Sequence, residues 1–566
     1  MNGLVMLVIA AVVLLLAYVF YGRWLAKKWG IDPNKKTPAH EFEDGVDYVP
    51  AKPSVVFGHE FASIAGAGPI NGPIQAAMFG WLPVLLWILF GGVFFGAVQD
   101  FSALYASVKN KGKTIGYIIE TYIGKTGKRL FLLFVWLFSI LVVAAFADIV
   151  AGTFGGFNAA GEKVLANASV ATTSLLFIVA AVGLGVFLRK SKPSGLVSGI
   201  IAVGLLVLSI ALGLTFPIYV AKNIWLYIVF AYIFIASITP VWALLQPRDY
   251  LNSFLLVAMI AGAFIGVVFT APAINIPVFT GFKVGNNTLF PILFVTVACG
   301  AVSGFHSLVA SGTASKQIDN EKHILPISFG AMLVESLLAV LALIAVGALT
   351  VGGKLPEGIV TPPQIFASAV AGFLTKLGLP ANIIFTLITL SVSAFALTSL
   401  DSVARVGRLA FQELFTEELE PGKQPAPIAK VLSNKYVATL FTLFLGYLLA
   451  ILGYQNIWPL FGSANQLLAA LALIACAVFL KKTKRQGTML YVPMFAMLVV
   501  TFAALAITIQ NKGSKLFNGT FKFGVDGLQF IFAILLLALG IMVAISGVSK
   551  LMEKEQPEMR KEGMAV

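Results

Sequence analysis

Residues 130–147 read LFLLFVWLFSILVVAAFA, and residues 200–220 read IIAVGLLVLSIALGLTFPIYV. Neither stretch holds a charge, and each suffices, at about 1.5 Å per helical residue, to cross roughly 30 Å of hydrocarbon. Working outward, comparable runs lie near residues 4–20, 61–79, 82–108, 171–188, 223–244, 252–270, 288–314, 325–350, 382–404, 436–453, 457–480, 489–510 and 526–548. With the two quoted runs, taken as 130–153 and 195–217, they make fifteen. Their unbroken apolar character fits helices, whereas barrel strands alternate. Of the 566 residues 59% are hydrophobic and only 11% charged, against about 25% charged in soluble domains. A soluble globule, a disordered chain and a disulfide scaffold are excluded. The fold class is an all-α polytopic membrane protein with about fifteen transmembrane helices.

Charge placement supports that count. With the N-terminus outside, the inner loops hold 31 of the 39 Lys and Arg residues and the outer loops hold eight. A miscounted helix midway would invert the bias downstream, because cations concentrate in cytoplasmic loops. The net charge of +14 is thus a matter of topology, and no nucleic-acid partner is needed. The run from Leu4 to Phe20 has no basic residue before it and is followed by Arg23, Lys27 and Lys28, so it reads as a retained helix. Residues 361–377 are amphipathic and short, which predicts an outer interfacial helix or lid. Residues 32–53 form a polar insert whose acids and His40 read as a solvated loop. His40, His59 and Glu60 are weak metal candidates, since no regular ligand spacing joins them. Cys299 and Cys476 sit inside apolar runs as packing residues.

Polar groups inside spans are costly and normally face the bundle interior. Four regions stand out. AGAGPINGP at 65–73 places three glycines and two prolines within an apolar segment, which predicts a broken helix at Gly66 to Gly72, including Gly68, Pro69 and Asn71. Broken backbone at membrane depth belongs in protein or beside a cavity, where its freed groups bind ions or substrate. Ser237, Thr239 and Pro240 interrupt 223–244. Thr296, Gly300, Ser303, Ser307, Ser311 and Ser315 fall on one face of a continuous helix, with His306 about 60° outside that arc and Thr313 near its inner end. Ser391, Thr398, Asp401 and Ser402 form a fourth stripe in which Arg405, four residues on, pairs with Asp401. Asp100, Asp148 and Glu335 also lie within spans and are candidate proton acceptors unless a cation holds them ionised.

Enzyme motifs are missing: His59-Glu60 does not continue as H-E-x-x-H, no Walker lysine follows the glycines, and G-x-S-x-G is absent. No catalytic role and no cofactor is expected, and transport would run on gradients. Leaving out the first helix and the last four, ten spans remain, with interruptions expected in the first and sixth. Five plus five, an odd number per unit, gives inverted halves, the arrangement of LeuT-type secondary transporters. The expected divisions are an N-terminal helix and loop over 1–58, repeats over 59–222 and 223–410, and a cytoplasmic loop with four extra helices over 411–566.

The segments FGHEFASIAGAGPINGP (57–73), GAVQDF (96–101), IASITPVWALLQPRDY (235–250), ACGAVSGFHSLVASGT (298–313) and WPLFGSANQ (458–466) closely resemble the carbon starvation protein A (CstA) family. The resemblance covers about residues 45–500 and implies an inner-membrane importer of peptides or pyruvate, used when carbon is scarce. It also implies kinship with the amino acid–polyamine–cation superfamily. The chain departs from longer members in its shorter N-terminal region and in carrying Glu60 where a second histidine is common. The expectation is a proton-coupled symporter working by alternating access, with a sodium-coupled symporter or a passive channel as alternatives. Gly66, Gly68, Pro69, Asn71, Gly72, Ser237, Thr239, Ser303, His306 and Ser307 are expected around the substrate. By resemblance, Ser311 and Thr313 are expected at the coupling cation, with Asp148, Glu335 or Asp401 carrying the proton.

Overall fold

Deprived of water, a spanning backbone must bond to itself, and this chain does so with helices throughout. The computed structural model describes residues 2–45, 48–158, 160–191, 195–239, 244–351, 354–356, 361–415 and 426–553. In chain order come α1 (Gly3–Trp29), the half-helices α2 (Pro53–Ile64) and α3 (Gly68–Ala76), α4 (Trp81–Lys109), the short α5 (Ile115–Tyr122) and α6 (Lys125–Phe154). There follow α7 (Leu165–Ser191), α8 (Gly195–Thr215), α9 (Lys222–Ile238), α10 (Leu245–Thr270) and a hairpin of β1 (Lys283–Val284) and β2 (Asn287–Thr288). Then come the half-helices α11 (Leu289–Thr296) and α12 (Gly304–Gly312), α13 (Glu321–Leu349), the short α14 (Pro362–Thr375) and α15 (Ala381–Phe415). The chain continues through α16 (Lys435–Ala450), α17 (Tyr454–Lys482), α18 (Thr488–Phe517) and α19 (Phe523–Met552). Eleven continuous helices among the described residues are long and apolar enough to cross a membrane. With the shorter α9 and α16 and the interrupted pairs α2/α3 and α11/α12, the protein has the fifteen expected spans.

An interrupted helix, a long helix, a short helix and a long helix occur in that order twice: α2/α3, α4, α5, α6 and then α11/α12, α13, α14, α15. The two long members, α6 and α15, share the most extensive helix–helix contact in the molecule, and α9 and α16 pack on both. α7 and α8 pair chiefly with each other, while α18 and α19 flank α17. Every residue of the most apolar stretch of α17 is buried, so this helix is a core strut.

Several expectations change. The unwound stretch is shorter than Gly66 to Gly72: only residues 65–67 leave the helix, and α3 begins at Gly68. Pro69 falls in the first turn of α3, where its missing N–H costs nothing. The second interruption lies at 297–303 and not at Ser237 to Pro240. α9 ends at Ile238 with Thr239 extended, α10 begins at Leu245, and Pro240 lies outside the described residues. The hydroxyl stripe from Thr296 to Ser315 is therefore split over two half-helices and a loop. α14 exists as expected, opened by a reciprocal Thr361–Gln364 cap, but it is mostly buried against α13 and α15 and does not lie on the surface.

Asp401 does not pair with Arg405. Its carboxylate bonds Arg248 at the start of α10 and accepts from Tyr232 of α9 at 2.9 Å, while Arg405 donates to the carbonyls of Ala236 and Thr239 at 3.0 and 2.7 Å. Arg405 thus caps the end of α9. Arg248 and Asp401 are both essentially inaccessible; Arg248 also pairs with Asp249 at 3.0 Å, so removing Arg248 strands Asp401, whereas removing Asp401 leaves Arg248 with Asp249. Arg248→Met, which leaves the Asp401 carboxylate buried without its cation, is expected to lower unfolding stability by about 3–5 kcal/mol, and the double change Arg248→Met with Asp401→Leu to recover most of it. Thermal denaturation of the detergent-purified protein, with Arg405→Met as a milder comparison, checks this.

Candidate functional site

The interruption at 297–303 survives because another helix supplies the partners the backbone lacks. Trp458 Nε1 of α17 donates to the Thr296 carbonyl at 3.2 Å, and Gln466 Nε2 donates to the Phe294 carbonyl at 2.5 Å. Asn465 Oδ1 accepts from the Phe305 N–H at 3.1 Å, and the Asn465 amide bonds the Ser303 hydroxyl. The loop approaches closely enough that only small residues fit. A Cβ on Gly68 would lie 2.4 Å from Cys299 Sγ, and one on Gly462 would lie 1.9 Å from the Val295 carbonyl oxygen. Gly72 packs in the same way on the Thr296 carbonyl.

Where the two interruptions face each other, a cavity opens. Gly66 and Gly68 border it from the first break, Cys299 from the second, Phe138, Val142 and Phe146 from α6, Ser399 and Val403 from α15, and Phe461 and Asn465 from α17; Ile64 and Phe305 complete the wall. These α6 and α15 residues lie near the midpoints of long helices, which puts the cavity near mid-membrane. Its volume, about 20 Å³, holds roughly one water. The wall is largely aromatic and aliphatic and carries no charged side chain. Its polar features are the Ser399 hydroxyl, the Asn465 amide, the Cys299 thiol and the backbone of Gly68 at the N-terminus of α3, the end of a helix whose dipole favours an anion.

Beside the second break lies a set of protonatable groups from four elements. His306 of α12 places Nδ1 2.8 Å from Asp100 of α4 and Nε2 3.3 Å from Glu335 of α13. Glu60 of α2 lies within charge range of both His306 and Asp100. All four are at most 1% exposed. Both Glu335 oxygens, one Asp100 oxygen and one Glu60 oxygen lack a hydrogen-bond partner. Among the described residues no lysine or arginine forms an ion pair with any of them. Glu335 also lies within charge range of the Cys299 thiol, which joins this set to the cavity wall.

The other expected site residues are spread more widely. Asn71 is wholly buried on α3 with both side-chain polar atoms unpartnered. Ser303 caps α12, and Ser307 donates to the Gly304 carbonyl at 2.6 Å. Ser237 and Thr239 end α9; the Ser237 hydroxyl is unpartnered, Thr239 donates to the Ile235 carbonyl at 2.6 Å, and neither lines the cavity. Ser311 is committed, accepting from the Ile115 N–H at 3.0 Å and donating to the Ser307 carbonyl at 2.6 Å, while Thr313 is exposed at the end of α12. Asp148 binds Lys222 at 2.7 Å and accepts from the Tyr454 N–H that opens α17, so it has a cation partner. His40 is exposed and His59 partly buried, away from each other, and Glu60 belongs to the His306 set. No three His, Cys, Asp or Glu residues among those described are grouped to hold a metal.

Asn465, Gln466 and Trp458 escaped the reading of single spans. Their signal was present: two amides and an indole in an otherwise apolar run, nine residues long, that also carries the resemblance.

A multi-span helical protein whose two interrupted helices close on a central cavity, with protonatable groups behind one break, is a secondary transporter. The chain belongs to the carbon starvation protein CstA family, whose profile it matches over residues 2–356 and 357–504. It is 31% identical to the peptide transporter CstA of Bacillus subtilis (strain 168), covering 99% of each chain. It is 32% identical to the peptide transporter CstA of Escherichia coli (strain K12), covering 92% of this chain and 82% of the relative. It is also 32% identical to the pyruvate/proton symporter BtsT of the same organism, covering 90% and 82%.

The close approach of the two breaks is testable. Gly68→Ala is expected to reduce the yield of monodisperse protein several-fold, because backbone and thiol cannot both hold their places. Cys299→Gly in the same chain should restore it, as read by size-exclusion chromatography.

Proposed function

We propose that the protein imports a small carboxylate nutrient together with protons, by alternating access, across a prokaryotic cytoplasmic membrane. The observation that carries this reading is the uncompensated set Glu60, Asp100, His306 and Glu335. Fully deprotonated it would hold three buried negative charges, and three protons shared among the four groups make it neutral. Buried charge without a partner is expensive enough that the set binds and releases protons as its surroundings change. Of the acids expected to carry the proton, Asp148 and Asp401 have fixed cation partners, which leaves Glu335. The engagement of the Ser311 hydroxyl by the Ile115 N–H and the Ser307 carbonyl weighs against a sodium site built on Ser311 and Thr313.

Substrate enters where the interruptions meet. Its carboxylate faces the N-terminal turn of α3 and the Ser399 hydroxyl, and its apolar part faces Phe138, Phe146, Phe305 and Phe461. A monocarboxylate of the pyruvate kind suits this wall, because no acid side chain there pairs with the ammonium of a peptide. Peptides are the second reading, favoured by the names of the relatives that match most of this chain's length. The two occurrences of interrupted, long, short and long helix support inverted halves. On this reading α2–α6 with α9 and α10 form one half and α11–α17 the other, with α7 and α8 inserted, so the second unit starts near residue 289 and not at 223. The lysine and arginine distribution puts the N-terminus outside and the C-terminus in the cytoplasm.

Reconstituted protein should accumulate labelled pyruvate when the outside is acidic, lose accumulation with a protonophore, and be indifferent to sodium. Glu335→Gln should cut accumulation by roughly tenfold or more, as expected for a proton-carrying group, yet still exchange substrate in counterflow. Sodium-dependent accumulation that survives the protonophore would overturn the coupling. A dipeptide outcompeting pyruvate would select the second reading. Reporter fusions to the two termini check the orientation.

A further inference from the structure

Resting on the proton-symport reading above, we propose that Asn465 is the positioning residue through which the cavity and the His306 set sense each other. One planar carboxamide borders the cavity and holds the backbone N–H next to His306. Its Nδ2 faces the cavity wall and donates to Cys299 Sγ at 3.4 Å and to the Ser303 hydroxyl at 3.1 Å. Its Oδ1 accepts from the Phe305 N–H at 3.1 Å, fixing the first turn of α12. The next residue is His306, whose ring lies between Asp100 and Glu335. Asn465 is fully buried, so bulk water does not compete for these bonds.

The thiol is a weak acceptor, whereas a substrate carboxylate beside the same wall is a strong, charged one. A carboxylate in the cavity therefore draws Nδ2 toward itself. Because the amide is rigid, that rotation takes Oδ1 off the Phe305 N–H and frees the turn bearing His306. The neighbouring supports are arranged differently: Trp458 and Gln466 grip the carbonyls of α11, so that half of the broken helix stays fixed while the α12 half responds. Linkage makes the effect mutual, since a change in His306 protonation that shifts α12 alters the donor offered to substrate.

The test is the number of protons moved per substrate molecule in proteoliposomes, from labelled pyruvate uptake and an internal pH dye recorded together. This ratio does not depend on how much protein is folded. Asn465→Ala is expected to lower it at least about twofold, and Ser303→Ala, which deletes one hydroxyl held by the amide, to lower it in the same direction. Gln466→Ala should slow uptake with the ratio unmoved. A wild-type ratio in both Asn465→Ala and Ser303→Ala, or an equal fall in Gln466→Ala, would overturn the proposal; if Asn465→Ala does not fold, Ser303→Ala decides. Absence of any pyruvate-linked proton movement in the unmodified protein overturns the symport reading itself, and this proposal with it.

Discussion

A peptide group released from a helix inside hydrocarbon has nowhere to go but another part of the protein, and the architecture follows from that demand. Two spans give up helical bonding, at 65–67 and at 297–303. The second interruption is held by an indole and two amides of a single helix, α17. That helix is buried from one end of its apolar stretch to the other, so the donors it presents are fixed in place. The helix ends on either side of the irregular backbone are thereby held close to a cavity. Glycines at 68, 72 and 462 let the two breaks and their strut approach within distances that a Cβ would forbid.

The placement of polar groups divides into two zones around the breaks. The cavity draws its wall mainly from α6, α15 and α17, and that wall is uncharged. The protonatable set lies on α2, α4, α12 and α13. Both zones share the loop between α11 and α12: Cys299 borders the cavity, and His306 opens the helix that follows. Substrate and proton are thus read by neighbouring stretches of one segment, which is the geometry that energetic coupling over a short distance requires.

How much of this the sequence disclosed varied with the range of the interaction responsible. The number of spans and the interruption at 65–73 were legible because apolar run length, glycine and proline act locally. The interruption at 297–303 was not, since Cys-Gly-Ala-Val-Ser-Gly contains no proline and its stabilising side chains come from residues 458–466. Helical spacing joined Asp401 to Arg405, but Arg248, from another helix, reaches the carboxylate and frees Arg405 for the carbonyls of α9. Glu60 read only as a weak metal candidate beside His59 because its partners, Asp100 and His306, lie 40 and 246 positions away. Single-span reasoning finds which polar groups must be explained and leaves their partners to the tertiary fold.

The buried acids separate into two kinds, and the separation bears on mechanism. Asp148 and Asp401 each have a basic side chain as a neighbour, Arg248 being shared with Asp249, so each faces a cation in any proton state of the rest. Glu60, Asp100 and Glu335 share one imidazole, which can balance a single carboxylate at most. Their total charge is then set by how many protons they hold, and every proton lost leaves a negative charge in a medium that solvates it poorly. Relief comes only from water entering or from the helices parting. A set with this property favours the closed arrangement when loaded and the opened one when empty, because in an alternating-access protein opening to one side is what admits water. Fixed ion pairs cannot supply that dependence, since breaking them costs the same whether or not a proton has arrived.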